Sequence, residues 1–317
     1  MVLAAGLLLA KAAAVHAGTL VPVAPVPGST RTVVFAINNN NVVTGYEMSS
    51  TDGLEHPFVG PYTGSYTVFH LNGAKSGRAF GISDDGVVVG TELYSALGEY
   101  VPFVRQMDGR VRIVRSPDGY VVNGAAYDVR DNGLFVAASL NGSPFFGRGA
   151  RYTAPLAFPL PAGFVYPIGY DQQDTVTGYF LDTQDYSVPG FILKGSEVTV
   201  VHYPASGAVE VPLSGMNGSG IVSGNWQDSS NNPHAFLFDT NANAFKAIDK
   251  DELAFAGNIN DDGLVPVNVG TYSASMPYLY CPRRPRLCPV GAGPSREVAD
   301  RWIPAPEGTV RKADAIK

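Results

Sequence analysis

The pattern of apolar and polar positions along the chain repeats. An apolar or aromatic residue at Ile37, Ile82, Val129, Tyr170, Met216 and Ile259 ends a short apolar run. A polar tetrad then intervenes ("NNNN", "SDDG", "RDNG", "DQQD", "NGSG", "NDDG") before a run rich in β-branched residues begins. Asn, Asp and Gly tolerate positive φ, so a tetrad of them between two apolar runs predicts a hairpin. The steps between the six positions are 45, 47, 41, 46 and 43 residues, a period that marks a repeat architecture.

Each unit continues in the same way. A small residue stands at Gly45, Gly90, Ala137, Gly178 and Gly224, with Val267 as the exception in the sixth copy. A position reserved for small residues implies close approach of another backbone. A loop follows, then a third apolar strand ("HPFVG", "VPFVR", "SPFFG", "VPGFIL", "PHAFLF", "MPYLY") and, in copies one to five, a fourth, as in "YTVFHL" or "VTVVHY". Four short strands per unit predict one blade of a β-propeller. The sixth copy runs directly into "CPRRPRLCP" and lacks its fourth strand. Laid ungapped on the repeat, the segment from Leu20 to Val26 occupies that role, with Pro25 on Pro204 and Gly28 on Gly207. The expected fold is therefore all-β: a six-bladed propeller of four-stranded blades over 18–280, closed by its N-terminal strand so that no sheet edge stays open there.

Composition agrees with many short strands and turns: the chain has 317 residues, 36 Gly and 24 Pro, and only 16% are charged. A net charge of -6 argues against a phosphate-binding face and hence against nucleic acid. Residues 1–17 read as a secretory leader: Leu3 to Leu9 is apolar, and Val15-His16-Ala17 offers small residues for cleavage before Gly18. No other stretch approaches the roughly 18 apolar residues of a membrane helix. A secreted or periplasmic monomer without a transmembrane anchor is expected. In such a compartment Cys281 and Cys288 would form a local disulfide, stabilising by roughly 2.5 kcal/mol. The tail, 281–317, is Pro-rich and basic, with Arg283, Arg284, Arg286, Arg296, Arg301, Arg311, Lys312 and Lys317. It is expected to be partly disordered, or to lean on the acidic propeller.

The repeat, I-N-D/N-x-G-x-V-x-G followed by H-A-F-L, resembles the bacterial HAF-type extracellular repeats, most closely in "NNPHAFLF". The resemblance covers about four fifths of the chain, from Leu20 to Tyr280. It implies secretion and a propeller, and little about activity.

His56 and His234 hold one position in two copies, before the third-strand phenylalanine. They read as blade architecture, bonding a neighbouring backbone group, rather than as catalysts. His70 and His202 share a fourth-strand position. No two histidines of one blade fall close enough in sequence and phase to share a metal, and no cofactor is expected.

The loops joining second to third strands contain no Lys or Arg and carry carboxylates beside aromatic rings. Tyr94, Tyr100, Asp182, Asp185, Tyr186, Trp226 and Asp228 are the candidate ligand contacts, on a surface suited to saccharides or basic peptides. The leading reading is a non-enzymatic binding or scaffolding module for an extracellular glycan or protein. The alternative is a carbohydrate-active enzyme, a polysaccharide lyase or glycoside hydrolase, with two loop carboxylates roughly 5–9.5 Å apart as acid and base. No catalytic residue is assigned. Copy four departs most from the usual turn, with Tyr170, Asp171 and Asp174.

Overall fold

The tetrads make the turns their composition predicts. In the computed structural model, which describes residues 18–248, 252–271, 273–282, 294–298 and 301–313, each tetrad ends on a residue with positive φ. These are Asn41 (60°), Gly86 (81°), Gly133 (76°), Asp174 (64°), Gly220 (80°) and Gly263 (80°). Where a tetrad opens with Asn or Asp, its side-chain oxygen accepts turn N–H groups. Asn38 Oδ1 takes those of Asn40 and Val42 at 3.0 and 2.9 Å, and Asp171 and Asn217 do the same in their copies.

The hairpins assemble into six antiparallel sheets. Blade one comprises Ser29–Ile37, Val42–Ser49, Glu55–Pro61 and Thr67–Val68; blade two, Ala74–Ile82, Val88–Tyr94, Glu99–Arg105 and Val111–Ile113. Blade three comprises Gly124–Val129, Leu134–Ser139, Pro144–Arg148 and Arg151–Pro155; blade four, Ala162–Tyr170, Thr175–Asp182, Gly190–Lys194 and Glu197–Val201. Blade five holds Leu213–Met216, Ile221–Gln227, Pro233–Asp239 and Ala244–Ala247. Blade six takes Ala254–Ala256, Val265–Thr271 and Ala274–Cys281 from its own copy and Gly18–Pro22 from the other end of the chain. The closing register runs from Thr19 opposite Cys281 to Pro22 opposite Tyr278. The strand begins two residues before the Leu20 of the repeat alignment.

Six apolar clusters fill the ring, and each contains at least one third-strand aromatic, among them Phe58, Phe103, Phe145, Phe191, Phe236 and Tyr278. The recurring large ring of each repeat unit is thus a packing requirement.

The innermost strands of blades one to five each carry a β-bulge, with one residue left out of the pairing between Val34 and Ala36, Ala79 and Gly81, Ala126 and Asp128, Pro167 and Gly169, and Leu213 and Gly215. The small residue of the repeat faces the position just before the bulge, as in Val34 opposite Gly45 and Ala79 opposite Gly90. A Cβ on Gly45 would lie 1.9 Å from the Val33 carbonyl oxygen, and one on Gly90 2.1 Å from that of Arg78. Blade six has no such irregularity, and there Ala256 faces Val267. The one exception in the repeat is therefore the one inner strand without a bulge. Gly90→Val is expected to destabilise the fold by roughly 2–3 kcal/mol through overpacking, read as a lower urea midpoint; an unchanged midpoint would show that the inner strand can relax.

In its described stretches the tail leans on the propeller of its own chain. Arg296–Val298 pairs with the closing strand of blade six, Ile303–Pro304 with the outer strand of blade five, and Val310–Ala313 with that of blade four. It runs backwards round the ring, satisfying the edges of three blades. Arg296 meets Glu252 at 3.0 Å, Lys312 meets Glu197 at 3.5 Å and Arg311 meets Asp182 at 3.9 Å. These exposed pairs contribute little individually; the backbone pairing and the packing of Trp302, Ala305 and Ala313 against three of the clusters hold the strap. Residues 1–17 and Cys288 lie outside the described residues, and so does the proposed Cys281–Cys288 pairing; Cys281 itself is buried at the end of its strand.

Candidate functional site: the axial cavity

A bulge turns its unpaired residue away from the sheet's regular alternation. Here the five unpaired residues are Phe35, Phe80, Tyr127, Ile168 and Ser214, and all five, with Gly257 of blade six, line one cavity on the propeller axis. Its volume is about 120 Å³. Three of these positions are aromatic, and Phe255 adds a ring from blade six. The ring centroids follow one another at 6.0 Å (Phe255–Phe35), 5.2 Å (Phe35–Phe80), 5.6 Å (Phe80–Tyr127) and 6.3 Å (Tyr127–Tyr166). An arc of rings thus spans blades six, one, two, three and four, while blade five presents only Ser214. Burial holds the Tyr127 phenol above its ordinary pKa, so it stays protonated.

Above this cavity, on the side of the loops between second and third strands, the axis opens into a mouth of about 190 Å³. Phe35, Phe80 and Phe255 line both spaces, so mouth and cavity adjoin at these rings. Arg78 and Tyr46 supply the polar wall. The Arg78 guanidinium donates to both carboxylate oxygens of Glu55, at 2.5 and 2.7 Å, and stands 5.0 Å from the Tyr46 ring centre. Arg31 donates to the Tyr46 hydroxyl at 3.0 Å. This bidentate geometry fixes the guanidinium plane and leaves its remaining N–H groups for a ligand.

Below, Asn258 stands between the cavity and the opposite mouth, lining both. Its side-chain N–H group reaches across the axis to Asp128 Oδ2 at 2.7 Å, joining blade six to blade three. Asp128 also accepts from the backbone N–H groups of Tyr170 and Val129, at 2.8 and 2.9 Å. Burial raises its pKa to about 7 despite these hydrogen bonds. The opposite mouth, about 60 Å³, is ringed by the tetrads; Asn39 and Asp261 there exchange hydrogen bonds across 222 residues of sequence.

The loop residues singled out in the sequence are spread over blades two, four and five, and none of them lines these axial spaces. Tyr94 packs over the Gly73 backbone, while Tyr100 and Tyr186 are exposed, Tyr186 by 78%. Asp182, Asp185 and Asp228 accept N–H groups of their own loops, from Gln184, Ser187, and Ser230 with Asn232. The Asn232 N–H groups hold the Asp228 carboxyl down at about 2. Trp226 stacks on His234 at 4.2 Å and on Tyr203 at 5.1 Å, inside the packing of its blade.

The histidines serve the blades, with partners other than backbone. His234 has its tryptophan and lies 3.5 Å from Asp228; His56 Nε2 is 3.0 Å from Asp52. His56 and His70, 14 positions apart in sequence, touch edge to face at 4.4 Å. Phase along the strand did not anticipate this contact, because the outer strand of blade one is two residues long and His70 lies beyond it. His70 faces the buried Glu92 at 3.7 Å, and burial raises the pKa of Glu47 opposite His56. Among the described residues, no three His, Cys, Asp or Glu side chains are grouped to hold a metal ion. In copy four, Tyr170 donates to Asp174, which pairs with Arg130, so that departure from the turn pattern ties blade four to blade three.

No family model and no curated protein matches the chain. Among solved structures, the crystal structure of TolB from Acinetobacter baumannii is similar to it at 12% identity and a TM-score of 0.35. The likeness covers 84% of this chain and 65% of that one, and at that level it says nothing of function.

Proposed function

We propose that this protein is a non-enzymatic binding module that receives a glycan end in the axial cavity, through the mouth beside Arg78 and Tyr46. The observation that carries this is the arc of rings on the axis, open at blade five and closed below by Asn258. Sugar C–H faces stack on rings, and the few fixed polar groups of the wall orient the hydroxyls. The exposed rings Tyr100 and Tyr186, on the same side as the mouth, are outer contacts for a longer ligand. The enzymatic alternative needs a pair of carboxylates at the bound sugar; Glu55 at the rim has both oxygens committed to Arg78.

Export belongs to the same proposal. It is supported by the apolar leader and by the small residues before Gly18. The HAF-type resemblance supports it too. Edman sequencing of the secreted fraction should begin at Gly18.

Binding of residues 18–317 to a glycan array tests the site. Discrete hits are expected, weakened on the order of tenfold or more by Phe80→Ala or Phe255→Ala. Hits that survive both substitutions but vanish with Tyr186→Ala would move the site to the loops. An array with no hits would leave a protein side chain as the occupant.

A further inference from the structure

In a protein of net charge -6, three arginines are brought side by side on blade three. Arg148 and Arg151 face each other across the closing pair of the outer hairpin. Arg115, arriving from blade two, bridges Arg151 in parallel from the other side. Residues paired across strands point to the same face, so the three guanidinium groups form a row perpendicular to the strands, about 4.8 Å apart at the backbone. All three residues are exposed. None forms an ion pair with a described residue; the polar contact of the row is Arg115 Nη1 to the Gly119 carbonyl at 2.9 Å. Like charges placed directly opposite destabilise a sheet. The arrangement therefore works against the fold, and a bound anion would relieve it.

We propose that this row is a second binding site, for the oxyanion groups of an acidic polysaccharide. The guanidinium fork matches carboxylate and sulfate alike. An acidic peptide fits less well for two reasons. A peptide that adds to a sheet edge needs free backbone groups, and beside Arg151 they are taken: Arg115 N–H bonds the Ala150 carbonyl at 3.1 Å, and Tyr152 N–H bonds that of Arg115 at 2.9 Å. An extended peptide also repeats its side chains on one face about every 6.6 Å, out of step with the row. A polysaccharide needs no sheet edge and presents its charges along a stiff chain. The site is on the outer rim, separate from the axial cavity, and stands whether or not the cavity binds a glycan.

Affinity electrophoresis of residues 18–317 through gels containing polygalacturonate, dextran sulfate, neutral dextran or polyglutamate tests this. The variants are Arg148→Gln/Arg151→Gln and, as a control with its own partner Asp108 at 3.4 Å, Arg110→Gln. Retardation by polygalacturonate or dextran sulfate, but not by dextran, is expected, weakening as salt is added. The double variant should lose about tenfold or more in affinity while its melting temperature stays level or rises, and Arg110→Gln should bind as wild type. Which of the two polyanions binds tells carboxylate from sulfate. No retardation by either, or retardation unchanged in the double variant, would overturn the site. Polyglutamate bound as tightly through the same arginines would overturn the polysaccharide in favour of an acidic peptide.

Discussion

A chain lacking residues 18–22 is expected to lose the single cooperative unfolding transition and to become protease-sensitive throughout its sixth blade. Those residues are the fourth strand of that blade, with Leu20 and Val21 almost fully buried. Without them the pairing edge of the Ala274–Cys281 strand opens, and the tail strand Arg296–Val298 loses its support. The following residues Val23 and Val26 fill the cluster between blades six and one, so the seam of the ring depends on the same segment. A milder version keeps the backbone. Leu20→Ala removes a buried side chain from the blade-six cluster and should cost about 2–5 kcal/mol, seen as a lower urea midpoint at unchanged slope. Equal midpoints for Leu20→Ala and wild type would mean that the ring is stable without its closure.

Stability should also fall as the pH rises from roughly 4 to 7, in the part of its pH dependence that Asp128→Asn abolishes. The native pKa of Asp128 is about 7, raised by burial and only partly offset by hydrogen bonds from Tyr170, Asn258 and Val129. In the unfolded chain an aspartate titrates near 3.9. Below both values each state is protonated and nothing is lost. Between them the folded state holds a proton that the unfolded state has released, so raising the pH favours unfolding, by about 4 kcal/mol across the whole window. Other buried carboxyls contribute in the same direction, Asp171 and Glu47 among them, so the measurable quantity is the difference between wild type and Asp128→Asn. Urea denaturation of both at several pH values gives it. Parallel profiles would show that Asp128 bears no burial cost, and its cross-axis bond to Asn258 would then be an ordinary hydrogen bond of the channel wall.

What the sequence determined by itself was everything that repeats within a blade. Tetrads that need positive φ mark the turns, the third-strand rings mark the core, and a recurring Gly or Ala marks the pinch beside the inner strand. These follow from neighbours close along the chain, so a period near 45 makes them legible. The missing fourth strand of copy six was legible for the same reason, since one absent element in a regular series demands a substitute. The loop rings and carboxylates stood out by composition, yet their neighbours are mostly their own loops. The residue two places before each aligned position, as Phe35 stands before Ile37, is aromatic in three copies, but nothing along the chain marked its role. Phe35, Phe80 and Tyr127 are the bulge residues of their inner strands, and only the closed ring makes them adjacent on the axis. The meeting of Asn258 with Asp128, the contact of His56 with His70, the strap over three blades and the arginine row were likewise decided by the tertiary structure. Asn258 and Asp128 hold the same place three repeats apart, but only the closing of six blades around one axis sets them opposite each other; the other contacts join residues whose separation carries no period and depend on packing beyond the regular strands.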